Sequence, residues 1–382
     1  MEESRTFTIY FCGTSATHFD SHNKNYWDGE LVATLAANTL DREFSHWIVV
    51  DGPGSGNLQA DEMTVESKDH PYAGVLFGKG WETNVRHAMN MIKGQFEWQR
   101  EKLTAEQHKT LQDAGIPIDD VDVKGSFWSR VYDYGDRKVT PQQLQQEIVN
   151  RHRKGGKIPE QVNLVGWSRG AVTCHMLANA MLADPELKHI PVNIFAVDPV
   201  PGLFNFETER VKVGPNVREY VGFFARDERS RGFACVVPET DGSTTTRLFP
   251  LPGRHATLVG NAALDGVEGP KILPEPGMVV RHLAETCLRR WGVNLAKCLN
   301  LTADELARAH DTMHKHDQMF IDMRQHSYTR LRESEGPDRA ISLGKEWEAF
   351  SRVKGDKYTP KVGLSAPVHG GHTLYRELLE GN

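Results

Sequence analysis

"VNLVGWSRGAVTCHMLANAM", residues 162–181, passes from a short apolar run through Gly-Trp-Ser-Arg-Gly into a long apolar-periodic stretch. The unbroken run "VNLVG" reads as a strand covered on both faces, and the segment after Gly170 reads as a helix. Ser168 stands between them, with Gly166 two residues before it and Gly170 two residues after. Glycines at that spacing let backbone pass close on both sides of a sharp, strained turn that holds the hydroxyl out.

Working outward, similar strand-like runs recur: "FTIYF" (7–11), "WIVVD" (47–51), "VNIFAVD" (192–198), "VREYVGFFARDE" (217–228) and "TRLFPL" (246–251). Helical patterns separate them. "TPQQLQQEIVNRHRKGG" (140–156) offers Thr140 as N-cap, Pro141 at the first helical position and a glycine stop. "PGMVVRHLAETCLRRWG" (276–292) is amphipathic and also ends at glycine. Strands alternating with helices predict a doubly wound, mostly parallel α/β sheet. Two regions depart from the alternation: a charged insertion at about 58–140, and a C-terminal extension, 301–382, expected to be a helical cap. The extension opens with a Thr302–Glu305 capping box, and its Met313, Met319, Phe320 and Met323 suit either core packing or the wall of an acyl groove. Residues 1–300 are read as the core that these segments elaborate.

The 382 residues carry a net charge of −6 with ordinary hydrophobic content, which excludes a basic nucleic-acid footprint. No apolar run reaches the ~18 residues of a spanning helix. The acidic start "MEESRTFTIYF" lacks the features of a signal peptide, so a cytoplasmic location in the producing cell is expected, with any export by a signal-independent route. Five scattered cysteines without a C-x-x-C pair predict reduced thiols rather than a disulfide frame or a zinc site. His18, Asp20 and His22 in "HFDSHNKN" (18–25) read as loop polarity; no metal and no cofactor is expected.

A serine hydroxyl needs a histidine to take its proton and a carboxylate to orient that histidine. Downstream of Ser168, two acids end strand-like runs: Asp198 closes "VNIFAVD", and Asp227 closes "EYVGFFARD". His255 follows in the glycine-rich loop "PLPGRHATLVGN". Either acid preserves the order Ser, Asp, His, and the residues by themselves leave both open. His369 and His372 in "VHGGHTLYREL" (368–378) are alternative sources of the histidine.

Six motifs in order resemble the α/β-hydrolase domain of bacterial type VI secretion phospholipase effectors and related hydrolases. They are "FCGTS", with Cys12 where the family has Asp, then "VDGPGSGN" (50–57), "GWSRGA", "DPVPG" (198–202), "DERSRGF" (227–233) and "LPGRHATLVGN" (251–261), with Asn261 where the family has a second glycine. The resemblance covers residues 7–292. It implies an α/β-hydrolase fold with Ser168 as nucleophile, Asp198 as acid and His255 as base. Asp227 would then be a supporting carboxylate, expected on Arg229 or Arg231. The oxyanion hole would use the backbone N–H of Arg169 and one from the turn at Gly13 and Thr14. The implied activity is hydrolysis of carboxylic esters, foremost phospholipid acyl esters. An esterase or acyltransferase on a soluble ester, or a silent interaction module, are the alternatives. Implied partners are a lipid surface, a secretion apparatus or an immunity protein, and no nucleic acid.

Overall fold

The computed structural model describes residues 6–14, 16–43, 45–53, 81–94, 158–202, 205–326, 338–353, 364 and 375–380, together with the strand segments 103–104, 122–124 and 131–133. Its strands are β1 (Thr6–Phe11), β2 (Trp47–Val50), β3 (Leu103–Thr104), β4 (Asp122–Lys124), β5 (Val131–Asp133), β6 (Gln161–Trp167), β7 (Val192–Val197), β8 (Val217–Ala225), β9 (Cys235–Val237), β10 (Thr245–Leu251), β11 (Ala340–Leu343) and β12 (Glu346–Ala349). Six of them form one sheet in the order β10-β8-β7-β6-β1-β2. Every pairing in that sheet is parallel. The fold is therefore α/β, with the architecture of an α/β-hydrolase-like sheet. Pro250, which has no N–H to give a neighbour, lies in β10 at the sheet's edge.

Alternation along each strand divides the core. Phe7, Ile9 and Phe11 of β1 face one layer and Tyr10 the other; Ile194 and Ala196 of β7 face the first, Phe195 and Val197 the second. The first layer is closed by α2 (Trp81–Lys93) and α3 (Arg169–Ala183), through Ala88, Met91, Ile92, Ala171 and Leu177. The second is closed by α1 (Leu31–Ala37) and, after the short α4 (Thr208–Val211), by α5 (Glu275–Arg290). Continuous burial of both faces explains why these strands read as unbroken apolar runs.

Beyond residue 300, α6 (Ala303–Lys315) and α7 (Asp317–Asp322) pack in the second layer, and α8 (Arg376–Glu380) also meets α5. The Thr302 capping box forms: the Glu305 N–H donates to Thr302 Oγ1 at 3.3 Å, and the Thr302 N–H donates to Glu305 Oε2 at 2.8 Å. Met313, Phe320 and Met323 are fully buried among Leu283, Leu288 and Leu306 and fill the core, whereas Met319 is 39% exposed. An amphipathic stripe gives the same sequence pattern in a core and in a groove wall, which is why periodicity did not separate them.

The extension is also not wholly helical. It contains β11 and β12, an antiparallel pair joined at Gly344, whose φ is 58°. β11 runs parallel to β9, so residue 341 lies beside Cys235 and the chain returns to the loops above β7 and β8. Of the insertion, residues 81–93 form α2, and β3, β4 and β5 form a small antiparallel sheet. The predicted helix at 140–156 lies outside the described residues. Among the described residues no helix is long and apolar enough to cross a membrane.

Candidate active site

Ser168 occupies the single-residue joint between β6 and α3 with φ 58° and ψ −124°. A side chain at positive φ is strained, and here the close packing around the joint imposes it. A Cβ on Gly166 would lie 2.5 Å from the Gly170 carbonyl group. One on Gly170 would lie 2.2 Å from the Phe11 carbonyl oxygen of β1. Both glycines are thus required by backbone approaching on either side of the turn, as their spacing predicts. The Ser168 N–H donates to the Val197 oxygen at 3.0 Å, binding the joint to the end of β7.

The residue that follows β7 is Asp198, fully buried and also at positive φ, 44°. Its Oδ2 accepts from His255 Nδ1 at 2.6 Å, and its Oδ1 accepts from the Ala225 N–H at 3.0 Å. Burial pushes the carboxyl up, but the Arg339 guanidinium and the His255 bond outweigh it and hold the pKa at about 2. His255 opens a 3-10 turn, His255–Val259. Its ring lies between Trp167, centroids 5.1 Å apart, and the edge of Phe233, 5.2 Å away. With Nδ1 donating to Asp198, Nε2 is left as the acceptor; it is buried and bonds to no described group.

Asp227, the other candidate acid, is directed elsewhere. Its Oδ2 accepts from the Gly253 N–H at 2.9 Å, and Oδ1 accepts from Arg324 Nε at 2.8 Å and Nη2 at 2.6 Å; Arg226 also donates to it. Its arginines are therefore Arg226 and Arg324, rather than the expected Arg229 or Arg231. Arg229 instead donates to the Asp338 carbonyl, because the chain has by then turned toward β11. The carboxylate of Asp227 fixes the loop that carries His255, but does not touch the imidazole.

Two residues that the sequence did not single out complete the surroundings. Glu228 is buried and accepts from the His255 N–H at 3.2 Å and the Ser230 N–H at 2.6 Å, beside Arg254. Burial acts to raise its carboxyl, and Arg254 with the Ser230 bond brings it below the usual range. Arg339, 2% exposed, donates from Nη1 to Asp198 Oδ1 at 2.7 Å and from Nη2 to Oδ2 at 2.8 Å. Glu228 was signalled by its place in the "DERSRGF" motif; "GPDRAISL" around Arg339 carries no local sign of burial.

The turn after β1 lies against the serine joint. A Cβ on Gly13 would meet the Trp167 ring at 2.2 Å, and one on Gly52 would meet the Gly13 oxygen at 1.7 Å. Arg169 Nη1 donates to Thr14 Oγ1 at 2.6 Å, fastening this turn to the start of α3. Arg169 also carries the first helical N–H, at the positive end of α3. Cys12, in the family's Asp position, is buried with its thiol pushed well up by burial and by Asp51, Glu30 and Asp20. The acid at the neighbouring strand end, Asp51, accepts from the His18 N–H at 2.8 Å. Among the described residues, His18, Asp20 and His22 included, no group of three metal-ligating side chains occurs. His369 and His372 lie outside the described residues.

No protein-family model and no curated protein matches the chain. Among solved structures, it is similar to an uncharacterized protein from Pseudomonas aeruginosa, at 14% identity and TM-score 0.46, covering 84% of this chain and 52% of that one. It is also similar to the Tle1 effector bound to the VgrG spike of the type VI secretion system, at 14% identity and TM-score 0.33, covering 67% of this chain and 50% of that one. The chain spans about half the length of both.

Proposed function

We propose that this protein is a serine hydrolase that cleaves carboxylic esters, with acyl chains of phospholipids as the substrate class, through Ser168, His255 and Asp198. The observation that carries the reading is the 2.6 Å bond from His255 Nδ1 to a buried, ionised Asp198, beside a serine held at φ 58°.

In the proposed reaction His255 Nε2 takes the Ser168 Oγ proton as Oγ bonds to the ester carbonyl carbon. The oxyanion is held by the Arg169 N–H and one from the Gly13–Thr14 turn. His255 then gives the proton to the departing alcohol, leaving an acyl-serine. Water, deprotonated by His255, releases the fatty acid and restores Ser168. Asp198 stays ionised throughout and stabilises the imidazolium. The six ordered motifs favour a lipid over a soluble ester, and on the same basis a secretion-apparatus component or an immunity protein is proposed as partner.

Fluorophosphonate labelling of the purified chain, with Ser168→Ala as control, tests the reading. Labelling confined to wild type, with fatty acid released from phospholipid vesicles, is expected. Equal labelling of both proteins removes Ser168 from the mechanism. Labelling without vesicle hydrolysis moves the substrate to a soluble ester.

A further inference from the structure

Arg339 immediately precedes β11, in a stretch of sequence beyond all six hydrolase-like motifs and 141 residues from Asp198. Besides its two bonds to the carboxylate, its Nη1 donates to the Ala225 oxygen at 2.6 Å. Nη2 and Nε donate to the Phe233 oxygen at 2.7 and 3.1 Å. The fork is therefore fixed by backbone of β8 and of the loop leading to β9, and the carboxylate is fixed by the fork. A bidentate pair constrains the plane of a carboxylate as a single lysine contact cannot. Asp198 Oδ2 is shared by Arg339 and His255, so any rotation that breaks one bond breaks the other. The charged and titratable groups around the carboxylate are Arg339, His255, Cys235 and, through Arg339, Glu228.

We propose that Arg339 is a positioning residue of this site: it keeps the Asp198 carboxylate ionised and in the one orientation that holds His255 Nδ1–H on Oδ2. The link to catalysis rests on the proposed hydrolase reading; the link to the imidazole does not. A buried carboxylate stripped of its cation takes up a proton or turns to another donor, and either change frees the imidazole. Arg339 also lines a cavity of about 320 Å³ with Phe206, Phe233 and Trp347, the last 56% exposed. A small cation therefore has a route to the position that Arg339→Ala empties.

The test uses the full chain as wild type, Arg339→Ala and Arg339→Lys. It reads the low-field ¹H resonance of the His255 Nδ1 proton, and kcat on p-nitrophenyl butyrate with and without millimolar guanidinium chloride. In the alanine variant the resonance is expected to be lost and kcat to fall roughly 10²- to 10⁴-fold, the upper end being the cost of a wrong imidazole tautomer. Guanidinium is expected to restore both in part. Lysine, a point charge without the fork, should return less than the native arginine.

A folded alanine variant that keeps the wild-type resonance and kcat overturns the proposal. So does loss of both that guanidinium leaves unchanged, since that is the behaviour of a structural staple. If Arg339→Ala does not fold, Arg339→Lys carries the same comparison: an unmoved resonance with wild-type kcat refutes, and a displaced resonance with lowered kcat supports. Wild type without Ser168-dependent turnover, but with a guanidinium-restored resonance, supports the positioning role and sinks the hydrolase reading instead.

Discussion

Asp198→Asn removes one charge at the centre of the site, and the structure fixes the size of two separate effects. For stability, the carboxyl has a pKa of about 2 against an ordinary value of 3.8, so the folded state prefers its ionised form by about 2 kcal/mol. Asparagine loses that, and the Arg339 guanidinium left buried without its anion is the other side of the same broken pair, for which comparable breaks cost about 3–5 kcal/mol. The sign with pH follows from a depressed carboxyl: the contribution is whole above the unfolded value near 4 and disappears as pH falls from there through about 2. Urea unfolding of wild type and variant should therefore differ by roughly 2–5 kcal/mol at pH 7, and the gap should begin to close below about pH 4. For activity, the proposed mechanism requires kcat to fall by a factor on the order of 10⁴, because an amide no longer selects the Nδ1–H tautomer. Asp227→Asn, made in parallel, should lose stability through Arg324 and Gly253 while keeping most of its turnover. If Asp227→Asn is the inactive one, or the Asp198 gap does not change with pH, the assignment of the two acids is wrong.

Other perturbations have equally definite outcomes. Ser168→Gly should be more stable than Ser168→Ala by up to about 1 kcal/mol, since relief of a Cβ at φ 58° outweighs the added chain entropy of glycine; equal melting temperatures would mean the elbow is unstrained. Gly170→Ala forces a Cβ to 2.2 Å from the Phe11 oxygen and should cost about 1–3 kcal/mol or more, read by thermal unfolding. Met313→Ala, at a fully buried position, should cost about 2–5 kcal/mol without changing acyl-chain preference; a change in preference measured across an ester series would favour the groove reading. The Glu30 carboxyl is pushed up to about 7 by burial, against which its bonds from the Ala33 and Val32 N–H groups work. A raised acid loses stability as pH rises from about 4.5 to about 7, so Glu30→Gln should gain on wild type over that window by up to about 3 kcal/mol in urea titrations. Of the five free thiols, Cys298 should react first with a disulfide reagent in the native protein, because the other four are buried.

Legibility in the sequence followed the range of the forces involved. The serine joint was readable because a covered strand, two obligatory glycines and a helix start are all encoded within a few neighbouring residues. The choice between Asp198 and Asp227 was not readable from the residues alone, since both end apolar strands and either is a common turn former. Sheet order separates them in space: β7 adjoins β6, so Asp198 falls beside Ser168, whereas β8 lies one strand further and Asp227 meets the Gly253 loop. The methionines after residue 300 gave an amphipathic pattern with no statement of what it packs against. Arg339 was invisible because its neighbours describe an ordinary polar turn, and its burial arises from pairing between β9 and β11, about a hundred residues apart.

The loop that carries His255 is held by three buried carboxylates in different ways. Asp198 takes the ring, Glu228 the His255 N–H, and Asp227 the Gly253 N–H. None of the three is more than 1% exposed, and burying a carboxylate is costly unless it is paired and hydrogen-bonded. Arg339 serves Asp198, Arg254 serves Glu228, and Arg226 with Arg324 serves Asp227. Arg324 and Arg339 belong to the C-terminal extension, which therefore does more than cover the sheet: it supplies the guanidinium paired with Asp198 and one of the two paired with Asp227. An extension that only packed against α5 would be replaceable by any apolar helix pair. This one cannot be, because removing Arg339 leaves Asp198, the buried anion in direct contact with the histidine, without its guanidinium.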